Sequence, residues 1–183
     1  MATVILRPSS TTSQTGWTND PIVTAADGNL ATGVAQNNIT CNWTAVLDDL
    51  DSGLSGATIN SFTISANATP GRAGSCTAEM SLIHSSDGAF AAESEAWVGS
   101  NATRTTTART TQQDGSSALT YAYINNCSVK IDPNNQGMTL YDLWVTVDYT
   151  PAGYGNAVNG VAAANISKVN GVATAEISKV NGV

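Results

Sequence analysis

Charge is scarce in this chain, and positive charge scarcest of all. Asp, Glu, Lys and Arg make up 11% of the 183 residues, with 7 Lys or Arg against 14 Asp or Glu and a net charge of −7. Ordinary domains carry about a quarter of their residues charged. So few cations cannot track a phosphate backbone, which excludes nucleic acid as a partner. Histidine occurs once, at His84 in SLIHSSDG. One imidazole without a Cys-X-X-Cys spacing builds no zinc site, and no Gly-X-Ser-X-Gly elbow frames a nucleophile for it. His84 therefore reads as a surface histidine beside a turn. No run approaches the roughly 20 apolar residues of a spanning helix, so no membrane partner is expected. The opening MATVILRPSSTT lacks the basic and long apolar regions of a signal peptide, which implies synthesis in a reducing cytoplasm. Three cysteines, Cys41, Cys76 and Cys127, are an odd number at wide spacing, the mark of buried free thiols rather than of a disulfide framework.

What the chain has is Thr, Ser, Asn, Ala and Gly around a 42% hydrophobic share, a composition that suits pleated strands. Thr3–Leu6 predicts a first strand that Arg7-Pro8 ends. Residues 8–37, rich in Ser, Thr, Asn and Gly, predict loop. ITCNWTAVLDDL predicts a strand running into an acidic turn, and ATINSFTISANATPG the cleanest strand, with Ile59, Phe62, Ile64 and Ala66 on one face. Cys76, Ala78, Met80 and Leu82 alternate likewise, and Ser86-Asp87-Gly88 predicts a hairpin turn into AFAAESEAWVG. Thr103–Thr111 alternates Thr and Arg as an edge strand does, its charges discouraging unwanted pairing. Leu119–Asn126 allows one helical turn. SVKI, the turn DPNNQG and MTLYDLWVTVDYTP predict a terminal hairpin, with Leu143, Val145 and Val147 on one face. About eight strands with turns between them predict an all-β antiparallel sandwich over residues 1–151, of the jelly-roll type because doubling the sheet covers most edges.

The segments TVILRP, INSFTISANA, SLIHSSDG and LYDLWVTVDYTP resemble those of β-sandwich proteins of tailed phages and metagenomic viral sequences. The resemblance covers roughly residues 3–151. It implies a virion structural protein, head-decoration or tail-fibre-associated, with a carbohydrate-binding-module-like jelly roll. It carries over no ligand-binding or catalytic residue.

Several side chains invite chemistry. Asp48, Asp49 and Asp51 offer the hard oxygens that calcium takes, but without the spaced loop and glycine of an EF-hand they read first as a solvated turn. Glu93 and Glu95 lie two apart, on one side of a strand, where glycosidase carboxylates would have to oppose each other across a cleft; a solvated face is the simpler reading. Of the four tryptophans, Trp43, Trp97 and Trp144 lie in strands and are expected in the core. Trp17, in a loop, is the candidate for stacking on a sugar ring. No cofactor is expected, nor an enzyme, because nothing supplies nucleophile, base and oxyanion donor together.

The last 32 residues, 152–183, form a tail with an 11-residue repeat: GNAVNGVAAAN, ISKVNGVATAE, ISKVNGV. Val158, Val169 and Val180 superpose, as do Val161, Val172 and Val183; Ile166 and Ile177 complete the apolar set. Asn-Gly in every unit disfavours a helix and predicts hairpins, one pairing Val169 with Val172 and Ser167 with Thr174. An isolated hairpin is marginal in water, so the tail is expected to anchor on another surface by strand addition. The expected function is a structural virion subunit, a capsid decoration or fibre protein, assembling as a homo-oligomer or with other virion proteins. The alternative is a carbohydrate-binding module for host-surface glycans.

Overall fold

A computed structural model describes residues 1–18, 33–36, 40–71, 74–134, 136–152, 168–169 and 172–173. The chain forms an antiparallel β-sandwich. One sheet holds β1 (Ala2–Leu6), β3 (Gly33–Ala35), β5 (Thr58–Pro70), β9 (Ala102–Thr105) and β11 (Met138–Thr150), in the order β1-β11-β5-β9 with β3 beside β11. The other holds β2 (Pro8–Thr15), β4 (Asn42–Leu47), β6 (Ser75–His84), β7 (Gly88–Ala89), β8 (Glu93–Val98) and β10 (Cys127–Asp132), in the order β2-β4-β10-β6, with β7 and β8 both paired to β6. With β2, β3 and β7 set aside, the remaining strands run β1-β11-β5-β9 and β4-β10-β6-β8. Apart from the β6–β8 hairpin, each passes from one sheet to the other, the interleaved winding of a jelly roll.

Alternation decides the core. On β6, Cys76, Ala78, Met80 and Leu82 are buried, and on β11 Leu140, Leu143, Val145 and Val147. The larger of these, Met80, Leu82, Leu140, Leu143, Val145 and Val147, are worth about 1.5–3 kcal/mol each when removed from water. The three-residue step from Ile59 to Phe62 keeps both inside because a bulge opposite Asp148 and Tyr149 takes up the extra residue. Thr120 caps the single helical turn α1 (Tyr121–Ile124) by accepting from the Tyr123 N–H at 3.1 Å.

Three expectations need correction. Of the stretch expected as loop, Pro8–Thr15 is a strand. It lacks apolar alternation because it is an edge, where hydroxyls bond to the neighbour: Thr12 Oγ1 to the Thr44 carbonyl at 3.0 Å, and Thr11 Oγ1 accepting from Trp43 Nε1 at 2.9 Å. Gly33–Ala35 is a strand as well, while the turns expected at 19–32 lie outside the described residues. β10 and β11 do not form a hairpin. They belong to opposite sheets, so that Val129 and Ile131 pack across the core from the other sheet's Leu143 and Val145 rather than alongside them. Among the described residues between 2 and 150 there are eleven strands rather than about eight.

The strand β9 is an edge, as its composition predicts, though it ends at Thr105 rather than Thr111, and Arg104 within it and Arg109 beyond it do more than repel. Arg104 Nε donates to the Ala96 carbonyl at 2.8 Å and Arg109 Nη2 to the Ala91 carbonyl at 3.1 Å, while Trp97 Nε1 reaches the Ala102 carbonyl at 2.8 Å. Residues 102–113 thus strap the open edge of one sheet to the other. In the tail, β12 (Lys168–Val169) and β13 (Val172–Ala173) pair antiparallel, Val169 opposite Val172, as the Asn-Gly signal predicts. The pairing of Ser167 with Thr174, and positions Val158, Val161, Ile166, Ile177, Val180 and Val183, lie outside the described residues.

Candidate sugar-binding face

Because Leu143, Val145 and Val147 point into the core, the residues between them on β11 point outward. Trp144 is one of them, and it is partly exposed. This corrects the expectation that it lies in the core with Trp43 and Trp97, which are fully buried. Strand register places Trp144 opposite Ser65 of β5, and Ser65 opposite Thr105 of β9. The adjacent row toward one end is Asp142, Asn67 and Thr103; toward the other it is Ile5, Thr146 and Thr63. Rows lie about 7 Å apart along the strands and neighbours within a row about 4.8 Å apart. The outer face of this sheet is therefore a grid of hydroxyl and amide groups around one indole.

The polar groups are already ordered. Ser65 Oγ and Thr105 Oγ1 are 2.8 Å apart, Asn67 Nδ2 donates to Thr103 Oγ1 at 3.0 Å, and Arg7 Nη1 meets Asp142 Oδ1 at 2.6 Å. Each hydroxyl keeps unused lone pairs after one bond, so the grid can still accept from a ligand. Ile5, 53% exposed, adds an apolar edge to the same face. The face thus presents one partly exposed indole, an apolar edge and a set of ordered hydroxyl and amide groups.

Other candidates are placed differently. Trp17 is 7% exposed, pairs with Ala35 and belongs to the core, its Nε1 without a partner among the described residues; packed there, its ring offers no open face for stacking. Asp51 accepts from the Gly53 N–H at 2.7 Å and caps a short 3-10 helix, Ser52–Leu54. Neither Asp48 nor Asp49 joins it, and among the described residues no group of three His, Cys, Asp or Glu could hold a metal. Instead of facing solvent, Glu93 pairs with Arg109 at 3.0 Å and accepts from the Thr107 N–H at 2.7 Å. That pair lies at the mouth of a cleft floored by Phe62, Ile64, Leu82 and Phe90, with room for about one water molecule. His84 is not a surface side chain. Its ring stacks on Tyr123 with centroids 3.9 Å apart, and Nδ1 lies 3.3 Å from both Ser86 Oγ and Asp87 Oδ2. Serine and aspartate meet the same ring nitrogen, which is not the relay a triad requires.

All three cysteines are buried free thiols. Burial pushes Cys76 up to about 11 and Cys127 up to about 12, with the Asp87 charge adding to the latter. Burial raises Cys41 as well, so desolvation disfavours the thiolate at all three. Among the described residues no helix is long and apolar enough to cross a membrane.

The fold and this face define a β-sandwich of the jelly-roll type. No family model matches the chain and no curated protein matches it in sequence. Among solved structures it is similar to the CBM36-1 domain of a multidomain xylanase from the hindgut metagenome of Trinervitermes trinervoides, at 12% identity and a TM-score of 0.37, covering 86% of this chain and 100% of that one.

Proposed function

We propose that this chain is a non-catalytic carbohydrate-binding module whose ligand lies on the outer face of the β1-β11-β5-β9 sheet. The observation that carries this reading is Trp144, a partly exposed indole centred on a face of ordered hydroxyl and amide groups. An apolar C–H face of a pyranose packs on the ring while its hydroxyls meet Thr105, Thr63 and Asn67, with the buried Ser65 holding Thr105 in place from below. The test is a glycan array followed by titration calorimetry with wild type and Trp144→Ala. A central aromatic anchor is worth about 2 kcal/mol or more, so affinity should fall roughly 30-fold. A glycan bound equally well by the variant would refute the reading.

A second reading has one observation in its favour, the β12–β13 hairpin in the middle unit of the repeat. A segment that forms strands but has little core of its own gains by adding to a neighbour's sheet. On this reading residues 152–183 hold the sandwich in a homo-oligomer or on other virion proteins, displayed on a virion assembled in the host cytoplasm. Light scattering on the full chain and on residues 1–151 tests it, and unchanged assembly of the shorter chain would retire it.

A further inference from the structure

The charge pattern around Trp144 narrows the ligand class. This inference rests on the sugar-binding reading above. Asp142 and Trp144 lie two residues apart on β11, on the same outward side, about 7 Å from each other along the strand. Arg7, from the junction of β1 and β2, reaches Asp142 with Nη1 at 2.6 Å, its side chain 30% exposed and that of Asp142 15% exposed. The other charge that the strand alternation places on this face is Asp148, which accepts from Asn60 Nδ2 at 3.4 Å. Arg104 is opposite the buried Ala66 and turns to the other side of β9, where it holds the Ala96 carbonyl. Among the described residues the face therefore has one cation bound to a carboxylate, a second carboxylate, and neutral polar groups.

We propose that Asp142 is the specificity residue of this face: by neutralising Arg7 beside the Trp144 platform, it restricts the ligand to neutral glycans and turns away uronic-acid and sulfated chains. An anionic sugar stacked on Trp144 would meet no uncompensated cation from the grid, and it would be repelled by Asp148 in a molecule already at −7. A neutral sugar escapes that repulsion and still finds the hydroxyl and amide partners. Specificity here comes as much from the repulsive element as from the attractive one.

The test measures binding of neutral oligosaccharides (cello-, xylo-, manno- and chito-hexaose) and of acidic ones (oligogalacturonate and a sulfated heparin hexasaccharide) to wild type, Asp142→Asn, Arg7→Gln and Trp144→Ala. Circular dichroism and a thermal melt establish that each variant is folded. Wild type should bind at least one neutral member and no acidic one. Asp142→Asn removes the carboxylate that occupies Arg7, and should raise affinity for an acidic oligosaccharide about fivefold, a gain that vanishes at 1 M salt. Arg7→Gln should gain nothing for acidic chains. Should Asp142→Asn fail to fold, Asp142→Ser asks the same question with a smaller neutral group. Trp144-dependent binding of acidic chains by wild type would overturn the inference while leaving the sugar-binding reading standing; so would an acidic gain in Arg7→Gln, or none in a folded Asp142 variant. Absence of binding to any glycan would remove both.

Discussion

Replacing Arg109 by alanine cuts the strap that closes the sandwich edge, and its cost can be worked from two contacts. The guanidinium meets Glu93 at 3.0 Å and the Ala91 carbonyl at 3.1 Å. Its side chain is 36% exposed and that of Glu93 22%, so the ion pair is worth about 0.5–1 kcal/mol rather than a buried-pair value. The bond to the Ala91 carbonyl adds about 1 kcal/mol. The backbone of Arg109, bonded to Phe62 in both directions at 2.9 and 3.0 Å, is untouched by the change. Arg109→Ala should therefore lose about 1.5–2 kcal/mol in urea denaturation, or roughly 4–7 °C in Tm for a domain of this size. Glu93→Gln keeps an acceptor for the Thr107 N–H and should cost less. A double-mutant cycle of the two should show a coupling of about 0.5–1 kcal/mol that shrinks at 1 M salt, where the screening length is about 3 Å. A coupling of zero at low salt, with Arg109→Ala as stable as wild type, would refute the idea that side chains hold this edge closed. The backbone bridge to Phe62 would then be sufficient.

Three further outcomes follow from burial and backbone geometry. At pH 8 Ellman's reagent should find no reactive thiol in the native protein and three in 6 M guanidinium. Because the unfolded thiols ionise near 9.0 while Cys76 and Cys127 hold their protons to about 11 and 12, their contribution is fully present below pH 9 and is lost as pH rises through that window. Stability that stays flat from pH 9 to 11 would contradict this. Gly16 has φ +72°, and a Cβ there would lie 2.5 Å from Cys41 Sγ and 2.6 Å from the Thr40 carbonyl oxygen. Gly16→Ala should cost about 1–3 kcal/mol; an unchanged denaturation midpoint would show that the turn relaxes freely.

Local patterns made much of this fold readable. The alternation on β5, β6 and β11 identifies strands and their inward faces, and Thr120 with the short apolar run after it marks the helical turn. The polar strand β2 carries no such pattern. It is a strand because β4 offers its edge and because hydroxyls bond well there, information held some 30 residues away. Which sheet a strand joins is likewise not local, so β10 and β11 look like a hairpin in sequence and are not. The outward position of Trp144 was legible from Leu143, Val145 and Val147 on either side, but composition, which favours tryptophan in the core, points the other way. The Arg7–Asp142 pair spans 135 positions and has no sequence mark at all.

The pairing of β1 with β11 bears on how the protein is made. Ala2 lies opposite Tyr149 and Leu6 opposite Val145, so among the described residues β1 has no strand partner until β11 has left the ribosome. The half-built sheet must wait through the synthesis of more than 130 residues with its edge uncovered. Chains dominated by such distant pairings fold in milliseconds to seconds rather than microseconds. During that interval the unpaired Thr3-Val4-Ile5-Leu6 is the segment most exposed to pairing with another nascent copy. Synthesis rate and chaperone supply, more than final stability, should set the yield of this protein in a heterologous host.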